Sequence, residues 1–242
     1  MDIQMLGTGS AFAKTYFNTN ALIYTDSHTL MLDCGTTAHQ SLHRLGKPLS
    51  DIDAVLISHI HADHVGGMEE LAFRMKFGFG RKPLLFVPEP LAGPLWETSL
   101  KGGLLQDEFA ALDDYFEVRL IQPGVRTELI PGLAAEPIRT AHIPNKISYS
   151  YVLNDDFFYS ADLTFHPELL RALVEERGVR TIFHDCQLKP PGVVHTTLEE
   201  LESLPLHIRE RIRLMHYDDT KPQYEGKTGV MTFVEQHERY RF

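Results

Sequence analysis

The chain is 242 residues long, 43% hydrophobic and 23% charged, with a formal net charge of −10. This is an ordinary soluble composition, enough for a real core as one large α/β domain or two small ones. No apolar run approaches the roughly 20 residues of a membrane span, and the acidic balance argues against long RNA or DNA, which needs a basic patch. The opening Met1-Asp2-Ile3-Gln4-Met5 has no basic region before an apolar stretch, so no secretory signal is expected. With only Cys34 and Cys186, a reducing cytoplasm is the expected setting, each thiol small and buried. Arg209-Glu210-Arg211-Ile212-Arg213 reads as a solvated helix face rather than a phosphate track.

Strand-like residues 1–6 end in the turn Gly7-Thr8-Gly9-Ser10. Residues 21–24 and 29–32 form a hairpin about Asp26-Ser27 that leads into Asp33-Cys34-Gly35. Residues 37–45 have helical character and stop at Gly46, a C′ position. The run 51–58 reads as a strand, 66–75 as a helix, and 84–87 as a strand closed by Pro88. From 89 to 116 a helical stretch is punctuated by Pro90, Pro94 and Gly102-Gly103. Strands are expected at 118–122, 127–130, 135–140, 148–153, 157–160, 181–184 and 212–215. Helices are expected at 167–176, with Pro167 in the first turn, and at 197–203. Without repeats, low-complexity tracts or a linker-like run, one domain over residues 1–242 is expected.

The most informative segment is His59-Ile60-His61-Ala62-Asp63-His64, directly after the apolar Ala54-Val55-Leu56-Ile57. Imidazole and carboxylate suit Zn²⁺ and other borderline first-row metals without thiolates. Alternation along a strand lets His59 and His61 share one ion, while Asp63 and His64 serve a second after the turn. Four groups cannot complete two metal spheres, so further ligands must come from later in the chain. His142, Asp162 and His216 fit, each just past an apolar or β-rich run where loops at one sheet end gather functional groups. His28, His39, His43, His207 and His237 lie on polar turns or helices and read as surface residues; His166 and His184 stay ambiguous.

This pattern resembles the metallo-β-lactamase fold superfamily over almost the whole chain. The resemblance implies an α/β (α+β) fold, an αββα sandwich of two mixed β-sheets flanked by helices, with metals at one edge. It implies a first metal on His59, His61 and His142, a second on Asp63, His64 and His216, and Asp162 bridging them. Two Zn²⁺ are the expected cofactors, with Mn²⁺ as the alternative. Asp33 in Leu32-Asp33-Cys34-Gly35 matches the family's early Asp-x-Gly turn and would support the metal loop; otherwise it is a simple turn former.

Within the superfamily the chain looks most like the tRNase Z branch. Leu6-Gly7-Thr8-Gly9-Ser10, His184-Asp185-Cys186-Gln187, His195-Thr196-Thr197-Leu198-Glu199-Glu200-Leu201 and Leu214-Met215-His216-Tyr217 carry that likeness. It implies that His195 is the catalytic imidazole and Asp185 its partner, where the branch more often has Glu; a plain loop residue ahead of a helix is the alternative for His195. The tRNA-processing members carry a long arm between the third histidine and the bridging Asp. Here residues 143–161 hold only a hairpin-like segment. The compact chain is therefore most similar to the anti-Pycsar phosphodiesterases of phages and bacteria. That resemblance implies hydrolysis of 3′,5′-cyclic CMP and UMP, also cAMP and cGMP, to 5′-monophosphates, counteracting antiphage signalling in the host cytoplasm. Asp63 would also orient the nucleophile. It implies a homodimer too, to which Lys76-Phe77-Gly78-Phe79-Gly80-Arg81 could lend a loop unless it is a mere turn. Phe12, Tyr16, Phe17, Phe77 and Tyr149 are candidates to stack on the base. A tRNase Z-like RNA 3′-processing endonuclease and a lactonase-type metallohydrolase are the rival readings.

Overall fold

Short apolar strands cut by frequent turns bury both faces only by stacking, and this chain stacks them as two seven-stranded mixed sheets. The computed structural model describes residues 1–242. In chain order the strands are β1 (Asp2–Gly7), β2 (Asn20–Tyr24), β3 (Thr29–Leu32), β4 (Ala54–Leu56), β5 (Leu84–Pro88), β6 (Glu117–Ile121) and β7 (Thr127–Ile130). They continue as β8 (Leu133–Thr140), β9 (Ser148–Leu153), β10 (Phe157–Tyr159), β11 (Thr181–Asp185), β12 (Ile212–Met215), β13 (Thr232–Phe233) and β14 (Arg239–Arg241). The first sheet runs β14-β1-β2-β3-β4-β5-β6 and the second β13-β12-β11-β10-β9-β8-β7. Each begins as antiparallel hairpins and turns parallel, at β3–β4 in one and β10–β11 in the other.

Side-chain alternation sorts the layers. Tyr151, Leu153, Phe157 and Tyr159 join the core shared by the two sheets, whereas Val152, Phe158, Ile182 and Leu214 face a smaller outer cluster. Leu170, Leu173, Leu198, Leu201 and Ile208 cap that outer face from helical turns. On the far side Ala38 and Leu42 of α1 (Ala38–Leu45) cover the first sheet. They are joined by Met68 and Leu71, which lie beyond the single turn α2 (Ala62–Val65) on α3 (Met68–Phe73). The result is helices on both outer faces of two mixed sheets, the expected αββα sandwich. No helix is long and apolar enough to cross a membrane.

The expected strand 51–58 survives only as Ala54–Leu56. A 3-10 turn at Leu49–Asp51 precedes it. Beyond it the chain leaves the ladder and crosses to the second sheet, where Tyr149 N donates to Ser58 O (3.1 Å) and Tyr151 OH to Ile57 O (2.5 Å). The expected helix 66–75 is displaced toward α3 because the metal motif winds its own turn, α2. Strands β13 and β14, two and three residues long, were not expected.

One close approach holds the motif down. A Cβ on Gly35 would lie 1.8 Å from Asp63 O, so only glycine lets α2 sit against the end of β3. Gly35→Ala should lose about 1–3 kcal/mol of stability, seen as a lower urea midpoint, and release the Asp63 backbone from its seat. An unchanged midpoint would show that the two segments separate freely.

Candidate metal centre

Both sheets send their strand ends to one edge. His59 leaves β4 and bridges Ser148 in backbone pairing, and His61 sits at the N-cap of α2 with extended backbone (φ −127°, ψ 157°). Asp63 and His64 follow within α2. His142 lies just past β8, Asp162 just past β10, Asp185 ends β11, and His216 directly follows β12. Ala161 and His216 adopt left-handed backbone (φ 49° and 58°), which turns Asp162 and the His216 ring back toward the edge.

The chain brings all seven sequence-predicted donor groups together in two clusters sharing Asp162. In the first, His59 Nε2 and His142 Nε2 lie 3.1 and 3.3 Å from His61 Nδ1, and both are 3.6 Å from Asp162 Oδ2. In the second, Asp63 Oδ2 is 3.3 Å from both His64 Nε2 and His216 Nε2. Asp162 Oδ1 is 3.3 and 3.4 Å from the same two nitrogens. The two oxygens of one carboxylate thus face different clusters. Asp185, His195 and His216 form a third group beside them.

Hydrogen bonds behind the rings decide which nitrogen faces inward. His142 Nδ1 donates to Val194 O (2.7 Å) and His64 Nδ1 to Asp33 Oδ2 (2.8 Å), so each Nε2 presents a lone pair. Ser58 Oγ donates to Asp33 Oδ2 (2.6 Å) and accepts from His59 Nδ1 (3.0 Å), with the same effect. Lone pairs that converge within hydrogen-bond distance repel unless a cation sits among them. His64 Nε2 and Asp162 Oδ1 are buried with no hydrogen-bond partner at all. Burial, reinforced by neighbouring imidazoles, pushes His59 well below the ordinary histidine value and His61 down to about 4. Burial would also lower His64, but Asp162, Asp63 and Asp33 outweigh it and hold that ring well above its usual value, so without a metal a proton takes the Nε2 position that a cation would fill. The Asp162 carboxyl is held low against its burial by His216 and His64. This donor set fits a borderline divalent cation. Cys34 and Cys186 are free and buried, and burial raises both thiols away from the thiolate form.

The family described as anti-Pycsar protein Apyc1 matches residues 1–240. The chain is 58% identical over 239 residues to the anti-Pycsar protein Apyc1 of Paenibacillus sp. (strain J14), covering 98% of each. It belongs to the Apyc1 family of anti-Pycsar proteins. The Apyc1 of Bacillus phage vB_BsuM-Goe3 is 42% identical over 250 residues, covering 97% of this chain and 95% of its own. Among solved structures, the metallo-β-lactamase fold protein YhfI of Bacillus subtilis superposes with a TM-score of 0.77 at 16% identity, covering 99% and 98% of the two chains. Family membership and the paired donor clusters make this protein a metal-dependent hydrolase.

Around the clusters the structure adds positioning groups that sequence reading passed over. Asn20 Oδ1 accepts from Gly35 N (2.9 Å) while its Nδ2 donates to Asp63 O (3.1 Å), tying β2 to the motif. Ser160 Oγ accepts from Asp185 N (2.8 Å). A lone Asn or Ser at a strand end carries no signal that separates it from a turn former. His39 and His237, read as surface residues, are half-buried: His39 Nε2 bonds Gly67 O (2.7 Å), and His237 Nε2 lies 3.0 Å from Ser41 Oγ. Their helix and turn pack onto β1 and the motif, which sequence polarity does not reveal. His166 is exposed and accepts from Leu169 N at the start of its helix, whereas His184 is fully buried.

Asp33 decides the orientation of the motif, because its fully buried carboxylate takes three donors: Ser58 N, Ser58 Oγ and His64 Nδ1. Asp33→Asn keeps the shape but turns one acceptor into a donor. Metal affinity should fall about 10–100-fold in a chelator-competition titration while the circular dichroism spectrum is retained. Unchanged affinity would sever Asp33 from the donor set.

Proposed function

We propose that the protein is a dinuclear phosphodiesterase that hydrolyses 3′,5′-cyclic nucleotides to 5′-monophosphates and so counteracts cyclic-nucleotide antiphage signalling. The reading rests on its Apyc1 family membership and above all on one observation. An imidazole that belongs to neither cluster of seven donors, His195, stands beside them with its Nδ1 3.0 Å from Asp185 Oδ2 and 4.0 Å from Asp162 Oδ2. Its side chain is 21% exposed, against 2% for Asp162, so a substrate held at the clusters can reach it.

In this reading His59, His61, His142 and Asp162 would hold one dication and Asp63, His64, His216 and Asp162 the other, Zn²⁺ or Mn²⁺. When bound, the pair would neutralise phosphoryl oxygens and lower the pKa of water. Asp63 would accept a hydrogen bond from the attacking water and keep its lone pair aimed at phosphorus. His195 Nδ1–H is held by Asp185, which leaves Nε2 to deliver a proton to the departing 3′-oxygen as the P–O3′ bond breaks. Burial alone would lower the His195 pKa; the Asp185 carboxylate, aided by Asp162 and Asp63, outweighs it and keeps the ring protonated to higher pH.

Two features support a small substrate over tRNA. Residues 143–161, where an RNA-gripping arm would be inserted, are occupied by the buried β9–β10 hairpin. Cavities of about 400 and 630 Å³ flank the clusters, a scale that suits one nucleotide. We place the protein in the cytoplasm, that of the host where a phage encodes it, as a homodimer. The 76–81 segment is less free than its composition suggests. Arg81 is bound to Ser50 O and Ile52 O and Lys76 to Asp114 O, leaving Phe77 and Phe79 as its exposed groups.

The metal-loaded protein should convert 3′,5′-cyclic CMP, UMP, AMP and GMP to 5′-monophosphates, and leave a tRNA precursor and a lactone intact. Asp162→Ala should lose both metals by elemental analysis. His195→Ala should keep them and lose about 10²–10⁴-fold in turnover. Turnover of His195→Ala at the wild-type rate would eliminate the acid role, and cleavage of the tRNA precursor or lactone alone would replace the substrate class.

Asp185→Asn bears on the same proton. Without its carboxylate His195 titrates at lower pH, so the limb on which kcat falls with rising pH should move toward acid. A kcat–pH profile identical to wild type would exclude this pairing from the rate.

A further inference from the structure

A phosphodiester mechanism accounts for the phosphate and leaves the nucleobase without a partner. Of the five aromatic residues that sequence reading offered, three are already packed into the fold. Phe17 and Tyr149 are buried in the core, and Tyr16 packs edge-on against Tyr217 with centroids 5.1 Å apart. Phe77 is 58% exposed but packs against Phe73 and Phe109, with centroids 6.0 and 5.7 Å away, and borders neither cavity beside the clusters. Phe12 has no aromatic neighbour, and it is 87% exposed, the most exposed large hydrophobic side chain in the protein.

That exposure does not come from a loose loop. Ser10 N donates to Tyr217 O (3.0 Å), the residue next to His216, and Thr19 N to Gly9 O (3.0 Å). Beyond Phe12, Lys14 N and Thr15 N both donate to the Asp219 carboxylate, at 2.8–3.1 Å. A Cβ on Gly9 would meet Ala13 and Tyr16 at 2.8 Å, so the loop is closed tightly on itself. The fold therefore presents a phenyl ring on a frame anchored beside a metal-cluster histidine. The ring borders the cavity of about 630 Å³ that also touches His195, His216, Leu188, Lys189 and Pro190. The cavity on the opposite side, of about 400 Å³, offers Lys146, Thr98 and Leu91 but no phenyl or phenol face.

We propose that Phe12 is the platform on which the base of the cyclic nucleotide stacks, in the cavity bordered by His195 and residues 188–190. This rests on the cyclic-nucleotide reading and adds to it where the base lies and how it is read. A flat aromatic platform accepts every base, because each has a π-face. The site thus discriminates by ring area more than by hydrogen bonding. Purines gain more than pyrimidines, and all four bases are taken.

The test compares KM and kcat for cyclic AMP and cyclic CMP with those for 1-O-methylribose 3′,5′-cyclic phosphate, which has no base. Phe12→Ala should raise KM for both nucleotides roughly 5- to 150-fold, more for cyclic AMP, with kcat within a few-fold. The baseless diester should be unaffected, and Phe12→Trp should restore the nucleotide KM. An unchanged nucleotide KM in Phe12→Ala, or an equal loss on the baseless diester, overturns the platform. Wild-type protein that cleaves the baseless diester but neither nucleotide instead removes the substrate reading, before Phe12 is altered at all.

Discussion

The fully buried Asp33 carboxylate is the constraint on which the rest of the centre depends. An ion taken out of water costs several kcal/mol unless its lone pairs are matched, and here Ser58 N, Ser58 Oγ and His64 Nδ1 match them at 2.6–2.8 Å. Each match has a consequence elsewhere. The bond from His64 fixes that ring's tautomer in the second cluster. The bond from Ser58 Oγ consumes the hydroxyl proton, so the hydroxyl must accept from His59 Nδ1, which fixes a ring of the first cluster. One carboxylate therefore orients an imidazole in each cluster. It can do so only because residue 33 tolerates left-handed backbone (φ 58°), a conformation that Asp adopts more readily than most residues.

The centre also needs two sheets held in register. The motif from His59 to His64 comes from the first sheet, whereas His142, Asp162, Asp185, His195 and His216 come from the second. Donor atoms 3.3–3.6 Å apart across that divide require the sheets not to slide. The stitch is the segment after β4, where Tyr149 N bonds Ser58 O, Tyr151 OH bonds Ile57 O, and His59 pairs with Ser148. The same residues that shorten β4 thus anchor it to its neighbour.

This explains what could be read from the chain and what could not. The six-residue run from His59 to His64 was legible because so many borderline-metal groups seldom follow one strand. His142, Asp162 and His216 were legible because strands ending in polar residues mark a sheet edge. Strands 29–32, 127–130, 148–153 and 212–215 were placed to the residue, being bounded by turns on both sides. The end of β4 was not, since Ile57 continues the apolar run while the Ile57 and Ser58 carbonyls accept hydrogen bonds from the other sheet. The strands β13 and β14 escaped because paired edge segments of two or three residues have no periodicity to detect. Among the stacking candidates, composition could not separate Phe12 from Phe17, five residues on. Only the Asp219 anchor and the Gly9 turn expose one ring and bury the other.

Charge then limits what can approach. The protein carries −10 overall, and screening confines the field of exposed charges to about 8 Å at physiological salt. A polynucleotide lying along the surface would meet acidic groups over many phosphates, each inside that range. In the proposed reading a single cyclic phosphodiester, with one negative charge, meets only the edge where dications held by the donor clusters would supply positive charge. The acidic surface and a centre made cationic by bound dications would then be compatible demands on one chain. Together they favour an anion small enough to leave the surface behind when it enters. Lys189 on one side and Lys146 on the other are the basic residues of the two flanking cavities. In that reading the attraction is concentrated around one phosphate and is not spread into a track.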